Sequence, residues 1–163
     1  VYGYAKRKSY WGTLVGALPG ATPPLAGYVA ATAGFDAGAW LLFLIMMAWQ
    51  MPHFYAIAIF RRKEYARANI PVISVAQSIA RAIWEMRFYG VLFVVLNVYF
   101  VYLGYAGIVY AVSMVVISLY WLQPLLGSNW QINPEKSARI VFRRSLLVLF
   151  AFSILWMATG ILR

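Results

Sequence analysis

The stretch WQMPHFYAIAIFRRKEYARANIP, residues 49–71, closes a long apolar run and carries the chain's sole histidine, His53, beside Pro52. It then spills into Arg61, Arg62, Lys63 and Glu64. Read as a transmembrane helix, the run places the imidazole roughly 12 Å inside Arg61, at about 1.5 Å per residue, within the apolar layer of a bilayer. Polar groups at that depth are costly and tend to be there for a task. The competing reading is a buried histidine that packs and finds a hydrogen bond.

Composition agrees with the membrane reading. Of 163 residues, 64% are hydrophobic and only 11% are charged, where a soluble domain carries about a quarter charged. The chain is an integral membrane protein, and its fold class is an all-α, polytopic transmembrane helix bundle. Having no cysteine, it can use neither disulfides nor thiolate chemistry. A net charge of +10 raises the question of nucleic acid, and the placement of the charges answers against it.

Outward from residues 49–71, five runs approach the roughly 20 residues that cross a bilayer. They lie near 11–32, 38–60, 88–104, 106–126 and 146–162. If they alternate in direction, the head, the 61–87 loop and the 127–145 loop share one face. That face gathers Lys6, Arg7, Lys8, Arg61, Arg62, Lys63, Arg67, Arg81, Arg87, Lys136, Arg139, Arg143 and Arg144, and leaves Arg163 on the other. The positive-inside bias puts the basic face in the cytoplasm and the C-terminus opposite. Most of these charges can also be read as doing no more than setting orientation and touching lipid headgroups. An odd number of runs starting at Val1, without an initiator methionine or targeting segment, gives the expectation of a chain cut from a longer one.

In the first run Pro19, Pro23 and Pro24 fall among Gly12, Gly16, Gly20 and Gly27, which predicts a broken or kinked helix. Glycines every fourth residue offer a smooth stripe for close helix packing, or a kink that opens a cavity. In the second run Trp49 and Gln50 lie four and three residues from His53, which predicts one shared face. Between 74 and 86, Gln77, Arg81 and Glu85 recur every four residues opposite Ile79, Ala80, Ile83 and Trp84, the pattern of an interfacial helix or a plain amphipathic connector. The later runs read as packing scaffold.

A basic rim over an aromatic-rich intramembrane cavity suits a ligand with an anionic head and a long apolar body, such as a prenyl diphosphate. Aromatic faces can shelter the allylic cation left when diphosphate departs. Carriers and channels share the pattern, so spacing alone does not decide.

The strings KRKSYWGT, GATPPLAGY, WQMPHFYAIAIFR and EYxxANIPV closely resemble the C-terminal part of the haem-farnesylating branch of the UbiA-type membrane prenyltransferases. The resemblance covers the whole chain and is densest from Lys6 to Val75. It implies a nine-helix bundle in which these runs are the fifth to ninth helices, with residues 1–163 forming a single integral-membrane domain. The implied reaction joins farnesyl diphosphate to a vinyl group of haem B in a bacterial inner membrane, giving haem O and diphosphate. Lys6, Arg7 and Arg61 would then line the diphosphate or haem-propionate end, with Arg62 and Lys63 beside them and Tyr4 a further substrate contact. Trp49, Gln50 and His53 would face the haem, His53 as an iron ligand or as a polar group near the reacting vinyl.

The resemblance also implies Mg2+, a hard cation that wants several carboxylate oxygens. The chain offers only Asp36, Glu64, Glu85 and Glu135, so no metal ligand is assigned within it and the fragment alone is expected to be inactive. The partners implied are farnesyl diphosphate, haem B and membrane lipid, with haem A synthase or terminal-oxidase assembly factors downstream. Two alternatives stay open: a related prenyltransferase acting on a quinone precursor, and a non-catalytic haem or lipid carrier.

Overall fold

The computed structural model describes Ser9, residues 11–127 and residues 129–161. All its elements are helices: α1 (Gly12–Thr32), α2 (Ala37–Phe60), α3 (Arg62–Arg67), α4 (Ile73–Ala76), α5 (Ile79–Tyr102), α6 (Ile108–Leu126), α7 (Asn129–Ile132) and α8 (Pro134–Ile161). Each of the five expected runs is a helix. Ala37–Phe60, Ile108–Leu126 and Pro134–Ala158 are both long and apolar enough to cross a membrane. α1 and α5, of 21 and 24 residues, have the length, but glycine, proline and threonine dilute the first and Arg81, Glu85 and Arg87 the second.

Helix α2 is the centre. It packs against α1, α5 and α8, while α6 lies against α5 and α8. Its residues Leu42, Ile45, Met51, Tyr55, Ala56 and Ile59 are all but fully buried, and Pro52 sits inside the helix without ending it. Polar groups tie the helices together where apolar contact alone gives little direction in a membrane. Trp121 Nε1 donates to the carbonyl of Val141 at 3.1 Å, and Tyr110 donates to Asn97 Oδ1. Across α2 and α5, Tyr55 donates to Glu85 at 2.9 Å, a carboxylate otherwise held by Arg81.

Four expectations change. α1 runs unbroken through Pro19, Pro23 and Pro24, with Pro19 and Pro23 exposed and Pro24 half-buried. No separate interfacial helix spans 74–86: α4 ends at Ala76, Ser78 caps α5 by accepting from the Arg81 N–H at 3.0 Å, and residues 79–86 are the first turns of a long helix. Glu85, expected on a polar face, is buried between Arg81 and Tyr55. Likewise α8 begins at Pro134 rather than near 146, because its basic residues are spaced to keep an apolar face that packs on α2 and α6.

Charges sort to the two ends of the bundle. At one end Arg87 donates through Nε and Nη2 to the carbonyl of Leu125, where α6 ends, a favoured place for a cation. Lys63 reaches Glu135 at 3.9 Å at that same end. At the other, Asp36 caps α2 by accepting from Ala39 N–H at 3.1 Å and takes hydroxyl bonds from Tyr28 at 3.0 Å and Tyr105 at 3.2 Å. Desolvation pushes this carboxyl up, but those hydrogen bonds outweigh it and hold it below the usual carboxylate range.

Candidate functional site

Trp49 and His53 lie one helical turn apart on α2 and stack with ring centroids 5.0 Å apart. Both face α8. Trp49 Nε1 donates to the carbonyl of Ser145 at 2.9 Å, and His53 Nδ1 lies 2.8 Å from Ser145 Oγ. The Ser145 hydroxyl also stands 2.6 Å from the carbonyl of Phe142, which can only accept. The single hydroxyl proton therefore goes to Phe142, and Oγ must accept from His53 Nδ1–H. A neutral imidazole fixed in that tautomer keeps its lone pair on Nε2. Phe142 and Phe54 complete an aromatic wall, with centroids 4.8 Å and 5.6 Å from the imidazole.

Gln50 is placed elsewhere. Its buried amide donates to the Met46 carbonyl at 3.2 Å, and its Oε1 fills the space beside Gly20 on α1. Trp49 and Gln50 are successive residues, about 100° apart around a helix of 3.6 residues per turn, so the expected common face divides: Trp49 and His53 to α8, Gln50 to α1. The glycine at position 20 thus serves close approach, with a side chain rather than a cavity occupying the gap.

Above this wall the helix ends in cations. Arg61 pairs with Glu64 at 3.4 Å, and both are largely exposed. With Phe60, Arg139, Phe142 and Arg143 they line an open cleft of about 390 Å³ between the end of α2 and the start of α8. The guanidinium of Arg139 lies 5.6 Å from the Phe60 ring centre. Arg62 is exposed, and Lys63 faces Glu135. A second cavity, of about 230 Å³, lies between Ser9, Gly12, Thr13 and Gly16 of the first segment and Phe54, Ile57, Tyr65 and Pro71. Tyr4, Lys6 and Arg7 lie outside the described residues.

The loop between the cavities is fixed by its backbone. After α3, Asn69 adopts φ 52°, a left-handed conformation that asparagine tolerates better than most residues. Asn69 N–H bonds the Ala66 carbonyl and Ile70 N–H the Tyr65 carbonyl, the paired bonds of a Schellman motif, and Pro71 follows. Ser74 then donates to the Ala58 carbonyl, pinning α4 to the end of α2.

Ser145, Phe142, Arg139 and Arg143 do not emerge from the sequence as site neighbours, because the charges of residues 127–145 read as a loop. The signal was present: Arg139 and Arg143 are four apart and Phe142 lies between them, a helical face rather than a scatter.

Magnesium does not fit what is here. Among the described residues no three histidines, cysteines or acids cluster as a metal site. Each carboxylate is committed, Asp36 to the two tyrosines, Glu64 to Arg61, Glu85 to Arg81 and Glu135 to Lys63.

A family model described as the UbiA prenyltransferase family matches residues 1–147. The chain belongs to the UbiA prenyltransferase family. This UbiA-family chain is 44% identical over 158 residues to "Protoheme IX farnesyltransferase 2" of Chromobacterium violaceum, covering 96% of the chain and 52% of that protein. It is 44% identical over 152 residues to "Protoheme IX farnesyltransferase 1" of Shewanella frigidimarina, covering 93% and 50%. Against "Protoheme IX farnesyltransferase" of Yersinia pseudotuberculosis it is 43% identical over 152 residues, covering 93% and 52%. The chain spans about half the length of the curated relatives it matches. No solved structure matches it.

Proposed function

We propose that the complete protein to which these residues belong transfers a farnesyl group from farnesyl diphosphate to a vinyl group of haem B. The similarity of nearly the whole chain to relatives named protoheme IX farnesyltransferase carries this reading. In the reaction, the bond between the farnesyl carbon and the diphosphate oxygen breaks, and its electron pair leaves with diphosphate. The vinyl π electrons form the new carbon–carbon bond. Water captures the cation left beside the porphyrin and loses a proton, giving a hydroxyethylfarnesyl side chain.

Lys6, Arg7 and Arg61 hold the anionic ends of the substrates, with Tyr4, Arg62 and Lys63 as nearby contacts. Fixed cations stabilise charge as it develops on the leaving group and need no reorganisation at that moment. Trp49, Phe54 and Phe142 surround His53 with ring faces that attract a cation and exclude water. His53 faces the haem with Nε2 available, its orientation set by Ser145. Gln50 acts in this reading by keeping α1 and α2 in register. Because the chain's carboxylates do not fit magnesium, no step here runs through it, and the proposal puts its ligands in the half of the relatives' length that this chain does not match.

The proposal treats residues 1–163 as one integral-membrane domain of a bacterial inner membrane, with the basic end cytoplasmic and assembly factors for haem A or terminal oxidase receiving the product. Cells lacking their own haem-farnesylating activity and producing the complete protein should yield a more retained, farnesylated haem on pigment extraction. Haem B recovered unchanged would support a carrier instead. A His53→Ala variant should lose at least about tenfold of the conversion, the scale of one positioned polar group; full conversion would remove that residue's role.

A further inference from the structure

The cleft where α2 ends and α8 begins has three guanidinium groups, Arg61, Arg139 and Arg143, and a single carboxylate, Glu64. Glu64 is taken by Arg61, so two positive charges remain in excess, on Arg139 and Arg143. These two are four residues apart on one face of α8, their Cβ atoms about 6 Å apart. Among the described residues neither has an ion-pair partner, and Arg139 rests on the Phe60 ring instead. The cleft is also aromatic: Phe60 and Phe142 meet edge to face at 5.6 Å, and Phe142 in turn packs on His53.

We propose that this cleft is a dicarboxylate subsite in which Arg139 and Arg143 seat the two propionates of a tetrapyrrole whose apolar ring lies along Phe60 and Phe142. The assignment rests on haem B being the acceptor and adds where its charged edge is held. Two planar guanidinium forks match two carboxylates in charge and in bidentate geometry. A prenyl diphosphate fits less well, because its charge is relieved by a divalent cation and the cleft's one carboxylate is already paired. Anchoring the propionates here directs the ring inward past Phe142 to His53, and leaves the cavity between α1 and α2 for the other substrate.

The test compares the complete protein with its Arg139→Gln/Arg143→Gln variant in bilayer discs of neutral phosphatidylcholine, titrated with haem B and with haem dimethyl ester, whose propionates are blocked. The wild type should bind haem B at least about tenfold more tightly than the diester. The variant should lose that preference by weakening toward haem B alone, with the KM for farnesyl diphosphate unchanged. An Arg139→Lys/Arg143→Lys variant, which keeps the charge but not the forks, should fall between.

Four outcomes would overturn the assignment. A variant that binds haem B as tightly as the wild type would show that these arginines do not hold it. Equal weakening toward both haems would mean a packing role. A raised KM for farnesyl diphosphate would make the cleft the diphosphate's, and a difference appearing only when anionic phosphatidylglycerol is added would make it a headgroup site. A wild type that makes no farnesylated haem sinks the acceptor reading itself, whereas conversion by the wild type with unaltered haem affinity in the variant sinks this subsite alone.

Discussion

At the scale of single residues, the histidine's environment yields the sharpest expectation. Ser145 fixes both the orientation and the tautomer of His53 while its carbonyl takes Trp49. A Ser145→Ala variant keeps the backbone bond to Trp49 and strands Nδ1–H, so stability in detergent should fall by about 1 kcal/mol on chemical denaturation. Turnover of the complete protein should fall with it, since the imidazole is freed to flip. Gly20 gives a second case. A methyl there meets the Gln50 amide, whose end can swing away only by giving up its bond to Met46. Gly20→Ala should therefore cost about 1 kcal/mol, and the cost should vanish in a Gln50→Ala background, a coupling that a double-mutant cycle measures. His53 was singled out by its depth in an apolar run. Ser145 carries no such signal, because its meaning lies in a contact with positions about ninety residues away, which no local pattern encodes.

At the scale of elements, end signals explain both what was legible and what was not. Apolar run length marks every long helix, while Asp36, which caps α2, reads in the sequence only as a short link. The starts of α5 and α8 were misplaced for one reason. Charge hides both: Arg139, Arg143 and Arg144 make the start of α8 look like loop, and Arg81 and Glu85 make 74–86 look like a separate amphipathic piece, although the two pair along one continuous helix that Ser78 caps. The loop after α3 depends on a left-handed residue at 69. Asn69→Val should destabilise this turn by about 1–2 kcal/mol while Asn69→Gly is tolerated, which protease sensitivity of the loop would report. At the opposite end, Asp36 carries a pH dependence. Its folded carboxyl is held low, so the stabilisation is present above the free value of about 4 and is lost as pH falls through the lowered folded value. Melting of the Asp36→Asn variant should thus converge with that of the wild type in acid and differ from it near neutrality.

At the scale of the whole molecule, the bundle gathers Arg61, Arg87, Arg139 and Arg143 at one end and the Asp36–Tyr28–Tyr105 cluster at the other. That separation follows from alternating helices. The sequence made it legible through charge placement, though not which cations converge on one cleft. Cysteines introduced at Lys6 and at Arg61 should react with a membrane-impermeant reagent from the same side of the bilayer; reaction from opposite sides would leave no shared pocket. The most direct test of the account is the reaction itself. The complete protein, given haem B and isotopically labelled farnesyl diphosphate, should incorporate label into a haem whose mass has risen by one farnesyl group and one hydroxyl. Label passing to another acceptor while haem B stays unmodified would contradict it.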